Sequence, residues 1–246
     1  MIDVNSFSIE EIERIFSSFD SKQRVAFVEA CPPITFKEQA LLAAKSSMNE
    51  MRAQTLDFLV QGCITAGPFD LGAKIGAACY RLARKAYEEK TGDLTTNRLI
   101  TGRGAINWMT CLQRTGLHNK ITELVQEPIQ WLESIGDEDN LDMLRLKRVE
   151  AYVDLEDYDV AERYLKMINE SSLPPLIKVS YNAIKYRIDR HKGGGTDLPE
   201  EQAGSSKQNL LKTLEPLIGK ADDKKKDILK TFEALIGKTD DEKKDR

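Results

Sequence analysis

Residues 144–175 read LRLKRVEAYVDLEDYDVAERYLKMINESSLPP, and the reading of this stretch decides the fold. It describes two antiparallel helices joined by a tight turn at Glu156-Asp157 and closed by Pro174-Pro175. Proline cannot continue a helix, so the pair ends there.

Working upstream, the end of this first helix has an echo. Ala86-Tyr87 followed by Thr91-Gly92-Asp93 resembles Ala151-Tyr152 followed by Glu156-Asp157-Tyr158, with one extra residue in the turn. The two Ala-Tyr pairs lie 65 residues apart, which leaves room for one further helix pair, read at about 96–114 and 117–135. Pro128 falls inside the second of these and predicts a kink or a break. Before them, residues 69–89 form an Ala-rich helix whose small side chains let a neighbour approach closely. Residues 35 to about 61 form one long helix, opened by a Thr35/Glu38 capping box, with Leu41, Leu42, Met48, Met51, Leu56 and Leu59 at helical spacing. At the N-terminus, Ser8 with Glu11 caps a short helix, and a second follows Ser21 until Pro32-Pro33. Strand signals are nearly absent, so the chain reads as all-α.

Downstream, Pro174 and Pro175 occupy positions suited to start a helix whose apolar face is Leu173, Ile177, Ile184 and Ile188, able to cover the end of the stack. Residues 192–206, KGGGTDLPEEQAGSS, have the composition of a flexible linker. Beyond it, LLKTLEPLIGKADDKKKD at 210–227 recurs as ILKTFEALIGKTDDEKKD at 228–245, with thirteen of eighteen positions identical. Leu211, Leu214, Leu217 and Ile218 form one apolar stripe, and Leu229, Phe232, Leu235 and Ile236 form its copy. Gly219 and Gly237 divide the tail into two short amphipathic helices. Each stripe needs a surface: the helical body's own end, a second copy of the chain, a partner, or a membrane. Near balance of acids and bases makes an electrostatic membrane anchor the weakest of these.

Composition excludes several function classes. The chain has 246 residues, 41% apolar and 31% charged, with no run approaching a membrane span of about 18 apolar residues. Its first residues carry acids where a signal peptide carries bases, which points to the cytoplasm. A formal charge of −4 gives no general reason to expect nucleic acid. Cys31, Cys63, Cys79 and Cys111 lie far apart in apolar helical patterns with no CxxC pair, and read as buried reduced thiols. His118 and His191 have no ligand or triad partner at a useful spacing in the sequence and read as surface or helix-end residues. Gly102-Arg103-Gly104 lacks the order of a phosphate loop and reads as a helix interruption or a close helix contact. In GDEDNLD at 136–142, Asp139 or Asn140 is read as a helix cap and not as part of a calcium loop. Trp108 and Trp131 fall on apolar faces and read as core. No cofactor, metal or catalytic residue is assigned.

The 144–175 unit resembles the tetratricopeptide-repeat (TPR)-like superfamily. Tyr152, Ala161 and Leu165 stand at the family's tyrosine, alanine and second aromatic or aliphatic sites. Arg145 and Arg148 fall where the family favours tryptophan and leucine, Val149 replaces its small residue, and Pro174 comes one position late. The resemblance implies a TPR-like α-solenoid of antiparallel helix pairs: an N-terminal hairpin at 1–34, a repeat body at 35–191, the linker at 192–206 and the duplicated tail at 207–246. It further implies an adaptor or regulatory scaffold whose groove takes a peptide or helix of another protein. The groove residues would be Met143, Leu146, Glu150, Val153 and Asp154, with a basic or amphipathic partner matching the acidic spots. In the tail, Leu214, Leu217, Ile218, Phe232, Leu235 and Ile236 are the candidate contacts, including for self-association. Two readings compete. One is a nucleic-acid-associated regulator using Arg81, Arg84, Lys85, Arg98 and Arg103 as a basic strip; the other is an α-helical enzyme, against which the shortage of histidine and of spaced acidic pairs argues.

Overall fold

The computed structural model describes residues 6–31, 36–46 and 51–193, and these are all-helical, with no strand among them. The linker from 194 onward and the duplicated tail, with its candidate contacts, lie outside the described residues.

Helix α1 (Ile9–Ser18) begins as its capping box requires: Ser8 Oγ accepts from Glu11 N at 3.2 Å, and Glu11 Oε2 accepts from Ser8 N at 2.7 Å. Helix α2 (Ser21–Ala30) is capped one residue earlier than its sequence suggests. Asp20 accepts from Gln23 N, and Gln23 returns the bond to Asp20 N, both at 2.9 Å. Phe16 and Phe27 meet edge to face, 5.2 Å between centroids, and hold the two helices together.

The long helix expected from residue 35 is two helices, α3 (Lys37–Lys45) and α4 (Met51–Ala66). Ser46 adopts extended dihedrals (φ −63°, ψ 142°), which ends the first, and Leu42, expected on the apolar face, is 71% exposed. Phe36 occupies the α3 cap position and makes no capping bond through its side chain; Thr35 lies outside the described residues.

Helices α5 (Phe69–Glu88) and α6 (Leu94–Arg114) form the most closely packed pair. A Cβ on Gly76 would lie 2.9 Å from Trp108 Cα, and one on Gly104 would lie 3.1 Å from Tyr80 N. Only glycine permits backbones this near. The Gly102-Arg103-Gly104 segment is therefore a close contact within an unbroken helix. The helix expected at 117–135 is divided into α7 (His118–Leu124) and α8 (Gln126–Ile135). Pro128 sits in the first turn of α8, and its ring excludes the bond that Leu124 O would otherwise accept, which is where the ladder opens.

Gly136, in the left-handed region at φ +66°, ends α8. Asp137, not Asp139 or Asn140, caps α9 (Glu138–Asp154) by accepting from Asn140 N and, at 2.9 Å, from Asn140 Nδ2. Helix α10 (Tyr158–Leu165), capped by Asp157, a single 3₁₀ turn (Glu170–Ser172) and α11 (Pro175–Lys192) complete the chain of elements. Helix α4 packs on α6, α6 on α9, and α9 on α11; α1 crosses back to α5. A main core runs from Ile12 to Ala151. A second, centred on Val149, Val153, Ala161 and Leu165, is closed by Tyr181, Ile184 and Ile188 of α11. Among the described residues no helix is long and apolar enough to cross a membrane.

Candidate partner-binding site

Helix α9 is enclosed by α6, α7, α8, α10 and α11, and this decides the fate of its proposed groove. Leu146 (4% exposed) and Val153 (0%) belong to the second core, because α10 and α11 cover the face they occupy; they present nothing to a partner. Met143 is half-buried against the main core. Glu150 accepts from Lys147 Nζ at 2.7 Å. Asp154 accepts from Arg187 Nη2 at 3.0 Å and stands 3.5 Å from His118 Nδ1. The acids of this face are thus paired within the chain. His118 is the first residue of α7 and links it to α9 through Asp154, while His191, in the last turn of α11, stacks on Tyr158 with centroids 3.9 Å apart.

The basic strip is likewise compensated. Arg81 pairs with Glu10 at 3.1 Å and Glu13 at 3.7 Å, Lys85 with Glu89 at 3.9 Å, Arg84 with Glu88 and Glu127, and Arg103 with the buried Asp57. Burial pushes the Asp57 carboxyl up from its ordinary pKa, while Arg103 pulls it back. Of the five bases, Arg98 alone has no ion pair among the described residues. Cys31, Cys63, Cys79 and Cys111 are all buried free thiols. No group of three histidine, cysteine, aspartate or glutamate side chains able to hold a metal ion occurs among the described residues.

A recess of about 290 Å³ opens where α5, α6, α7 and α8 meet, lined by Tyr80, Arg81, Arg84, Trp108, Leu124 and Glu127. Tyr80 and Trp108 supply aromatic walls, their centroids 6.2 Å apart. The Tyr80 hydroxyl donates to Glu127 Oε2 at 2.8 Å, and burial pushes its pKa up to about 12. Arg84 bridges Glu127 and Glu88 while its guanidinium lies 5.9 Å from the Trp131 ring centroid, and Trp131 Nε1 donates to Glu88 at 3.2 Å. The polar groups are therefore held by one another around the aromatic walls. The sequence placed Arg81 and Arg84 in a basic strip for nucleic acid and none of the recess residues in a protein-binding site. Tyr80, Arg84 and Glu88 do lie on one helix face at intervals of four, but Trp108 and Glu127 join them only through tertiary packing.

Comparison with protein-family models, with characterised proteins and with solved structures finds no match to this chain.

Proposed function

We propose that the chain is a helical-repeat interaction module, built in the manner of a TPR-like solenoid, that holds a segment of another protein. The successive packing of α4, α6, α9 and α11, with α5, α7 and α8, and α10 interposed in sequence, supports stacked helix pairs. The observation that carries the functional reading is the recess beside Tyr80 and Trp108. At about 290 Å³ it lies at the lower edge of small-molecule sites, which span about 300–1,000 Å³, and matches one large anchoring side chain. Its aromatic and arginine lining is the composition that dominates partner anchoring. The nucleic-acid reading loses support from the pairing of four of its five bases with carboxylates of the same chain.

Affinity capture from the native cell tests the proposal with three full-length forms: the native chain, Leu124→Arg to fill the recess, and Leu217→Asp with Phe232→Asp to disrupt the tail. A partner retained by the native and tail-altered chains but lost from Leu124→Arg, with helicity unchanged by circular dichroism, is the expected result. Loss from the tail variant alone would move recognition to the duplicated repeats. No protein enriched by any form would refute the reading.

A further inference from the structure

The charges of α9 are nearly all answered within the chain: Lys147 by Glu150, Arg145 by Glu133 and Asp142, and Asp154 by Arg187. Arg148 is the buried exception; Glu138 and Asp139, which likewise form no ion pair among the described residues, are exposed in the first turn. Arg148 is only 4% exposed, yet among the described residues it forms no ion pair with a carboxylate. Its Nη1 donates to Gln126 Oε1 at 2.8 Å, and its Nε has no acceptor. The other strongly buried arginine, Arg24, is better served, since both of its terminal nitrogens donate to backbone carbonyls, those of Phe19 and Ser46. Burial accordingly holds the Arg148 pKa below the ordinary arginine value, with Tyr164 opposing it.

The surroundings of Arg148 resemble a receptor with a temporary occupant. Its guanidinium carbon stands 3.6 Å from the centroid of Tyr164, and Tyr164 stacks on Tyr152 at 5.5 Å. Ring faces stabilise a cation, but they do not accept in-plane N–H bonds, so the donor edge is left with one amide oxygen. That amide belongs to Gln126, which is exposed at the start of α8, while Tyr152 and Tyr164 are half-buried. A ligand from solvent could displace a flexible glutamine side chain without opening either core. A planar carboxylate matches the guanidinium edge and replaces a neutral acceptor by a charged one. A phosphate dianion suits the place less well, because Glu133 lies near enough to act on Arg148 and no second unpaired cation joins it.

We propose that Arg148 is an acid-recognition site, where a glutamate or aspartate carboxylate of an acidic partner segment replaces the Gln126 amide and lies against the Tyr152–Tyr164 stack. The proposal rests on the interaction-module reading and names the chemistry of the partner.

The test uses the full chain labelled with ¹⁵N, with the Arg148 Nε–H resonance assigned from the Arg148→Lys spectrum. The probes are acetate, inorganic phosphate, a fluorescein-labelled hexaglutamate peptide and a hexalysine control. Acetate and hexaglutamate should shift the resonance saturably and hexalysine should not. Arg148→Met should weaken hexaglutamate binding by at least about tenfold, with Gln126→Ala binding as well as the native chain or better. No shift with any probe, or equal peptide affinity in Arg148→Met, would overturn the site. A shift with phosphate alone would overturn the acidic-segment assignment. Partner capture that survives Arg148→Met would remove this site and leave the interaction module standing. Hexaglutamate binding at Arg148 without any captured partner would remove the module instead.

Discussion

Replacing Gly76 with alanine sets two effects of opposite sign against each other. Alanine in a helix interior is favoured over glycine by about 1 kcal/mol, so on propensity alone α5 should gain stability. The added Cβ would, however, stand 2.9 Å from Trp108 Cα, 3.0 Å from its N and 3.1 Å from its Cβ. Ordinary carbon contacts begin at about 3.5 Å, so α5 and α6 would have to separate by roughly half an ångström. Backbone cannot swing aside as a side chain tip can, which places the cost toward the upper end of the roughly 1–3 kcal/mol typical of overpacking. The net expectation is a loss of about 2 kcal/mol, or about 4–8 °C in Tm for a body of this size. Urea denaturation followed by the fluorescence of Trp108 and Trp131 measures it. Gly104→Ala, whose Cβ would meet Tyr80 N at 3.1 Å, should show the same sign with a smaller loss. A Gly76→Ala chain more stable than the native one would refute the close approach, and with it the placement of Tyr80 beside Trp108 in the recess.

Asp137→Ala should cost about 1 kcal/mol in the same denaturation assay by removing the α9 cap, whereas Asp139→Ala should change stability by a few tenths; the reverse order would restore the cap to Asp139. The buried Asp57 carboxyl has its pKa raised above 3.8, so between the unfolded and folded values the native state binds more protons than the unfolded chain. Stability should therefore fall as pH rises from 3.8 through the folded pKa, and Asp57→Asn should flatten that part of the profile; an unchanged slope would assign it to another group. Burial pushes the thiol of Cys63 up to about 11 and those of Cys31 and Cys111 up to about 12, and holds Cys79 well above the ordinary range. All four should resist Ellman's reagent at pH 8 in the native chain and react once unfolded; rapid labelling of the folded chain would contradict their burial.

The helical class and many boundaries were legible because they depend on local chemistry. Ser8 with Glu11, and the Pro174-Pro175 pair at the start of the last helix, are signals read within one turn of the chain. The errors arose where two local signals competed or where periodicity survived an interruption. Asp20 and Ser21 are both good caps, and Gln23 selects Asp20 because it can return the bond. The apolar spacing from Leu41 to Leu59 continues across Ser46, so it could not reveal that α3 ends there. The recess was not legible at all, since Tyr80 and Glu127 are 47 positions apart and meet only in the folded chain, and Tyr80 comes beside Trp108 where glycines let α5 and α6 approach.

Charge on α9 shows most clearly what sequence alone leaves open. Glu150 and Asp154, taken as free acids on a groove face, favour a basic partner. Lys147, three residues earlier on the same helix, answers Glu150, and once α11 is in place Arg187 answers Asp154. The buried charge left without an ion pair among the described residues is then a cation, Arg148. An ion pair already made within the chain gains little from a second partner of the same sign, whereas a desolvated guanidinium lacking an anion gains from any carboxylate that reaches it. Complementarity therefore turns on the desolvated charge left over after folding and not on every charge a helix carries, which is the ground for proposing an acidic partner at Arg148.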